Sequence, residues 1–97
     1  MLLSDEQRAL SELFAGRVPA PEGDRFGAAS WLELETGAPA LRGALVAFDC
    51  TLAREVRCGS HHVMIGDVRN VVRGDGRPLV YCDRGYGRVA LEQTLPA

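Results

Sequence analysis

The most constraining feature of this chain is an alternation that begins at Ala44. Ala44, Val46, Phe48, Cys50 and Leu52 fall on one parity and Asp49 and Thr51 on the other, the period of a half-buried β-strand. A second apolar run, His62 to Val68, and a third, Leu79 to Cys82, are separated by the turn-forming "RGDGRP", whose glycines and proline favour reversal. Three or four such strands make a sheet with one buried face. Here Phe48, Val63, Ile65, Val80 and their neighbours supply apolar side chains to both faces in places, so the second face needs a cover. That cover is expected to come from an oligomer or from the rest of a longer domain, and the start at "MLLSDEQ" gives weight to the second.

Before the strands, Ser4 and Gln7 fit a capping box, and Leu10, Leu13 and Phe14 follow at helical spacing until Gly16, which predicts a short amphipathic helix from about Asp5 to Ala15. "GRVPAPEGDRFGAAS" is broken by glycine and proline and reads as a surface loop. Trp31 to Leu34 alternates weakly as a short strand, and "ETGAPALRG" reads as another turn-rich connection. A helix feeding a loop and then an antiparallel meander gives an α+β chain with a mainly β core. At 97 residues the chain has room for a single domain, 1–97.

Composition removes several classes of function. The chain is 46% apolar and 25% charged, a globular balance rather than a disordered one. All 11 basic residues are arginines and the net charge is -2, so no basic field draws a nucleic-acid backbone. Arginine used singly suits planar recognition of phosphate or carboxylate. The N-terminus lacks the basic and apolar regions of a signal peptide, and no apolar run is long enough to span a bilayer. Cys50, Cys58 and Cys82 form an odd set without a CxxC pair, which points to a reducing cytoplasm.

Few residues could carry chemistry. Cys58-x-x-His61 has the spacing of half a zinc site, but no second pair exists, and adjacent strand residues such as His61 and His62 point to opposite faces; no metal is assigned. Cys50 and Cys82 read as small core residues, while Cys58, next to Arg57, reads as the more exposed thiol. His61 and His62 follow Gly59-Ser60 at the entry of a strand, where glycine permits close approach of a planar ligand; an exposed turn is the alternative. "DRGYGR" brings Arg84 and Arg88, which can fork onto phosphate, and Tyr86, which can stack on a ring; a glycine-rich hairpin with solvated arginines is the alternative there.

Taken in order, five segments resemble the C-terminal part of the flavin reductase family, the FMN-binding split-barrel reductases that supply reduced flavin to two-component monooxygenases. "LSDEQRALSELFAGR" is similar to the family's helix after the central strands, "DRFGAASW" to the loop that follows, and "TGAPALRGALVAFDC" to the next strand and its turn. "GSHHVMIGDV" resembles the Gly-Asp-His-x-apolar-apolar-Ile-Gly-Glu-Val motif, and "PLVYCDRGYGRV" the Pro-Leu-apolar-Tyr-x-x-Arg-x-Tyr segment. The chain departs from the pattern twice: Ser60 stands where the family has an acid that could orient the imidazole, and His62 replaces a small or apolar residue. The family's upstream Thr-Ala-Ser-Ser-Phe-like and Asn-x-Ser-like flavin-holding segments are not in this sequence.

The resemblance implies a mainly β, α+β fold, part of a split barrel of antiparallel strands with one N-terminal helix, and a single partial domain over 1–97. It implies FMN or FAD as cofactor and NAD(P)H as hydride donor. His61 becomes the candidate catalytic residue, near both flavin and nicotinamide; His61, Arg84 and Tyr86 become the cofactor-binding candidates, with Arg84 positioning a phosphate or the turn. Expected partners are a second copy, as a homodimer, and a monooxygenase reached through diffusible reduced flavin, with neither nucleic acid nor membrane involved. The alternative is a catalytically inactive, dimerising interaction module derived from the same fold.

Overall fold

The structure, a computed structural model, describes every residue except Thr94 and Ala97. A single 3₁₀ turn, Asp5–Gln7, leads into helix α1, Arg8–Phe14. The start is fixed as the sequence predicts: the Ser4 N–H donates to Gln7 Oε1 at 2.9 Å, and the Gln7 N–H returns to the Ser4 carbonyl at 3.0 Å, so two otherwise orphan donors find partners. The Ala15 N–H closes on Ser11, and Gly16 at φ 77° ends the helix in the left-handed conformation that glycine adopts without penalty.

Six strands follow among the described residues: β1 Trp31–Glu33, β2 Pro39–Leu41, β3 Val46–Cys58, β4 His61–Arg73, β5 Val80–Cys82 and β6 Gly85–Gly87. They pair as three antiparallel hairpins, β1 with β2, β3 with β4 and β5 with β6, rather than as the expected meander. The segment read as turn-rich contains β2, which pairs Trp31 with Leu41 and Glu33 with Pro39. Proline fits because it stands at the first position of this strand. The strand read from Ala44 runs from Val46 to Cys58, past Leu52, the last residue of the alternation. Two register shifts, between Asp49 and Cys50 and between Leu52 and Arg54, interrupt the alternation on which the reading rested.

Which parity is buried is also reversed. Ala47 and Asp49 are the buried residues of β3, while Phe48 and Leu52 are 49% and 58% exposed. Asp49 is accepted inside because its carboxylate takes hydrogen bonds from the backbone N–H and hydroxyl of Thr36, satisfying a buried polar group. These two bonds hold its carboxyl below the ordinary carboxylate range. Cys50 and Cys82, expected in the core, are exposed, as is Cys58.

The core gathers Leu13, Ala40, Leu41, Ala44 and Ala47, and no large side chain among the described residues is fully buried. The chain exposes 7709 Å², whereas a compact protein of this mass would expose about 5400 Å². Its radius of gyration is 15.4 Å, against about 12.5 Å for a compact chain of this length. Apolar side chains of β4 add to it: Val63, Met64, Ile65 and Val68 are each about half exposed or more. The need for a cover, inferred from apolar side chains on both faces, is therefore a property of the folded chain.

Candidate functional site

His61 opens β4 and pairs with Cys58 across a two-residue turn, Gly59-Ser60. Gly59 takes φ 59° at the first position of the loop, where a glycine is favoured. The turn lifts both histidines to the end of a 13-residue arm. His62 pairs with Arg57, and its Nδ1 lies 2.7 Å from Glu55 Oε1. Neighbouring strand residues project to opposite faces, so this contact belongs to the face away from His61, and His61 remains exposed.

Arg84 and Tyr86 belong to the β5–β6 hairpin. Cys82 pairs with Gly85 around Asp83 and Arg84, which take φ 50° and 64°, the doubly left-handed geometry of a type I′ turn. For arginine this is a strained conformation, and it holds Arg84 on an exposed corner. Tyr86 is half-buried and held on three sides. Its hydroxyl lies 2.9 Å from Ser11 Oγ, the Arg8 guanidinium sits 4.8 Å over its ring, and the Tyr81 ring meets it edge-on at 5.1 Å.

Four residues that lay within the quoted segments but were not named as site candidates carry this arrangement: Arg8, Ser11, Arg17 and Tyr81. Arg17 lies 4.8 Å over the Tyr81 ring and donates to its hydroxyl, which raises the guanidinium pKa above its ordinary value. The hairpin is thus clamped to α1 by the Arg8 cation–π contact and the Ser11 hydrogen bond, and to the segment after α1 by Arg17 over Tyr81, while the two tyrosine rings meet edge-to-face within it. Part of this was legible: a two-residue turn at Asp83-Arg84 puts Tyr81 opposite Tyr86, and Arg8 and Ser11 share a helix face at i, i+3.

The three candidate residues are not brought together. No hydrogen bond, ion pair or ring contact among the described residues links His61 with Arg84 or Tyr86. The cavity beside Tyr86 holds about 190 Å³ and is shared with Asp5, Arg8 and Leu79, less than the roughly 300 Å³ at which small-molecule sites begin. The larger cavities, of about 480 and 670 Å³, lie beside Arg77 and Arg88 and are lined by none of His61, Arg84 and Tyr86. Among the described residues no three His, Cys, Asp or Glu side chains cluster to hold a metal ion, and no helix is long and apolar enough to cross a membrane.

Comparison with known proteins supplies the decisive observation: residues 1–90 match the model of the flavin reductase like domain. The chain belongs to that family. It is 45% identical over 89 residues to the FMN reductase (NADH) RutF of Ancylobacter novellus, covering 91% of this chain and 48% of that protein. It is 43% identical over 97 residues to the protein of the same name from Bradyrhizobium diazoefficiens, covering 99% and 53%. Among solved structures, the flavin reductase PheA2 superposes with a TM-score of 0.78 at 31% identity, covering 92% of this chain and 54% of that one. The nitrilotriacetate monooxygenase component B homologue of Mycobacterium thermoresistibile does so with a TM-score of 0.81 at 28% identity, covering 99% and 53%. The flavin reductase fold, mainly antiparallel strands with one N-terminal helix, is thereby established for this chain. The chain spans about half the length of the curated relatives it matches.

Proposed function

We propose that this chain is the hydride-transfer half of an NAD(P)H-dependent flavin reductase acting on FMN or FAD in the cytoplasm. The observation that carries the reading is its 45% identity over 89 residues to a protein named FMN reductase (NADH). The same comparisons favour a reductase over an inactive interaction module. A bound flavin would supply the redox chemistry, and the protein would supply orientation and exclusion of water.

In this reading His61 presents its imidazole to the reacting rings from the end of the arm. Tyr86 offers its ring rather than its hydroxyl, because Ser11 already engages the oxygen. Arg84 offers a guanidinium that has no ion-pair partner among the described residues to the flavin phosphate. Since these groups do not share a pocket within one copy, the site is completed by a homodimer in which a second copy covers Val63, Met64, Ile65 and Val68 of the arm. The surface surplus of about 2300 Å² per chain is of the size such an obligate interface buries. A monooxygenase would receive the reduced flavin by diffusion.

FMN-dependent oxidation of NADH by the purified chain, followed by loss of nicotinamide absorbance, tests the activity. Turnover is expected in dimeric preparations, with His61→Ala lowering single-turnover flavin reduction by about 10² to 10⁴, the usual contribution of one positioned polar catalyst. A dimer that never oxidises NADH in the presence of FMN would refute the activity. Unchanged single-turnover reduction in the alanine variant would refute the role of His61.

A further inference from the structure

Asp75 is the one aspartate of the sequence that is followed by a glycine. In that order the backbone nitrogen of the second residue can attack the side-chain carboxyl of the first, and glycine, without a Cβ, leaves the nitrogen uncrowded and the chain free to turn. The fold leaves this pair unrestrained. The Gly74 N–H donates to the Leu45 carbonyl at 2.9 Å, and the Arg77 carbonyl accepts from the Asp5 N–H at 2.8 Å. Between these anchors neither the Asp75 nor the Gly76 N–H donates a hydrogen bond among the described residues. Gly76 takes φ 127°, a conformation that suits glycine alone.

The carboxyl is as free as the nitrogen. Asp75 takes part in none of the ion pairs among the described residues, and both residues are exposed. An open cavity of about 480 Å³ lies beside them, room in which the side chain can swing onto the Gly76 nitrogen. The other aspartates lack this combination. Asp5 is held by Arg88 at 3.0 Å and Asp24 by the Phe26 N–H at 3.0 Å. Asp49 is bound by Thr36, and Asp67 lies in the β3–β4 ladder. Asp83 precedes Arg84, whose Cβ crowds the nitrogen.

We infer that Asp75 is a site of spontaneous isoaspartate formation in the folded chain. The Gly76 nitrogen bonds to Asp75 Cγ and loses its proton, while a carboxyl oxygen leaves as water and a cyclic imide closes. Water then opens the ring. Attack at Cγ restores aspartate; attack at the main-chain carbonyl carbon leaves the backbone running through Cγ and frees an α-carboxylate. The water lost is the water regained, so the mass of the chain is unchanged and no oxidant or reductant takes part. The product adds one main-chain atom between the anchors at Gly74 and Arg77. It also exposes the carboxylate that S-adenosylmethionine-dependent isoaspartyl methyltransferases esterify, which is the class of enzyme that would act on it. The inference is independent of flavin chemistry.

The full chain, aged without flavin near neutral pH, would be assayed with a purified isoaspartyl methyltransferase and labelled S-adenosylmethionine. Electron-transfer mass spectrometry, which tells isoaspartate from aspartate by main-chain cleavage, would locate the modified residue. Isoaspartate is expected at Asp75 at least about ten-fold faster than at any other aspartate, a difference of about 1.4 kcal/mol in activation free energy. Asp75→Glu keeps the charge but would have to close a larger ring, and should lose the labelling; Asp24→Glu should keep it. The inference is overturned by absence of isoaspartate at Asp75, by a comparable rate at another aspartate, or by labelling that survives in Asp75→Glu. It is overturned equally by a folded chain that isomerises more than about ten-fold slower than the chain unfolded in urea, since the turn would then protect Asp75.

Discussion

The two hairpins that carry the candidate residues solve opposite problems. The β3–β4 arm is long, interrupted by two register shifts and almost bare of tertiary support; only Val56 of its outer two-thirds is even half-buried. The β5–β6 hairpin has three residues per strand, too few to persist alone in water, yet it is gripped by Arg8, Ser11 and Arg17. Where the chain supplies its own support, it does so with directional contacts between side chains far apart in sequence. Where it supplies none, it presents apolar surface, and the histidine at the tip waits on whatever covers that surface.

The largest expected effect comes from breaking the clamp. Tyr86→Ala removes the Ser11 hydrogen bond and both ring contacts and should destabilise the chain by about 2–3 kcal/mol, the range for truncating a partly buried aromatic, measured by urea denaturation. The base of the arm is probed by acid. The Asp49 carboxyl lies below its ordinary value of 3.8 through its bonds to Thr36, so it contributes stability above the pKa of the unfolded chain and loses it as pH falls through the lower folded value. Denaturation midpoints should accordingly drop below about pH 4, and Asp49→Asn should flatten that part of the profile.

A smaller, opposite effect is expected at the corner of the clamped hairpin. Arg84→Gly relieves a left-handed arginine and should stabilise the fold by about 0.5–1 kcal/mol, while weakening any phosphate contact in a flavin titration. The smallest effect on monomer stability belongs to the arm. Met64→Ser alters a side chain 63% exposed and should change the unfolding free energy by less than about 0.5 kcal/mol, although it should raise the dimer dissociation constant in sedimentation equilibrium.

The same contrast explains what the sequence disclosed. The helix start was legible because its cap is local: Ser4 and Gln7 are three residues apart. The arm was legible as strands because alternation has a fixed period, but period assigns residues to faces without saying which face is covered. Phe48 and Leu52 therefore read as core and proved exposed, while Asp49 read as surface and proved buried, since its partner Thr36 lies thirteen residues away. β2 was hidden by its proline and glycines. His61, Arg84 and Tyr86 were found by motif resemblance; that His61 lies on a different hairpin from Arg84 and Tyr86, and that Ser11 takes the hydroxyl of Tyr86, depends on contacts spanning up to 75 residues, beyond the reach of any local pattern.

The central claim is that the flavin site is completed only when the bare arm is covered by a second copy. It is tested most directly by FMN fluorescence quenching measured across a dilution series of the chain, with the dimer fraction of each sample determined by sedimentation. Quenching per chain should rise in proportion to the dimer fraction and vanish in the monomer. Constant quenching per chain through the monomer–dimer transition, or none in a fully dimeric sample, would contradict the account.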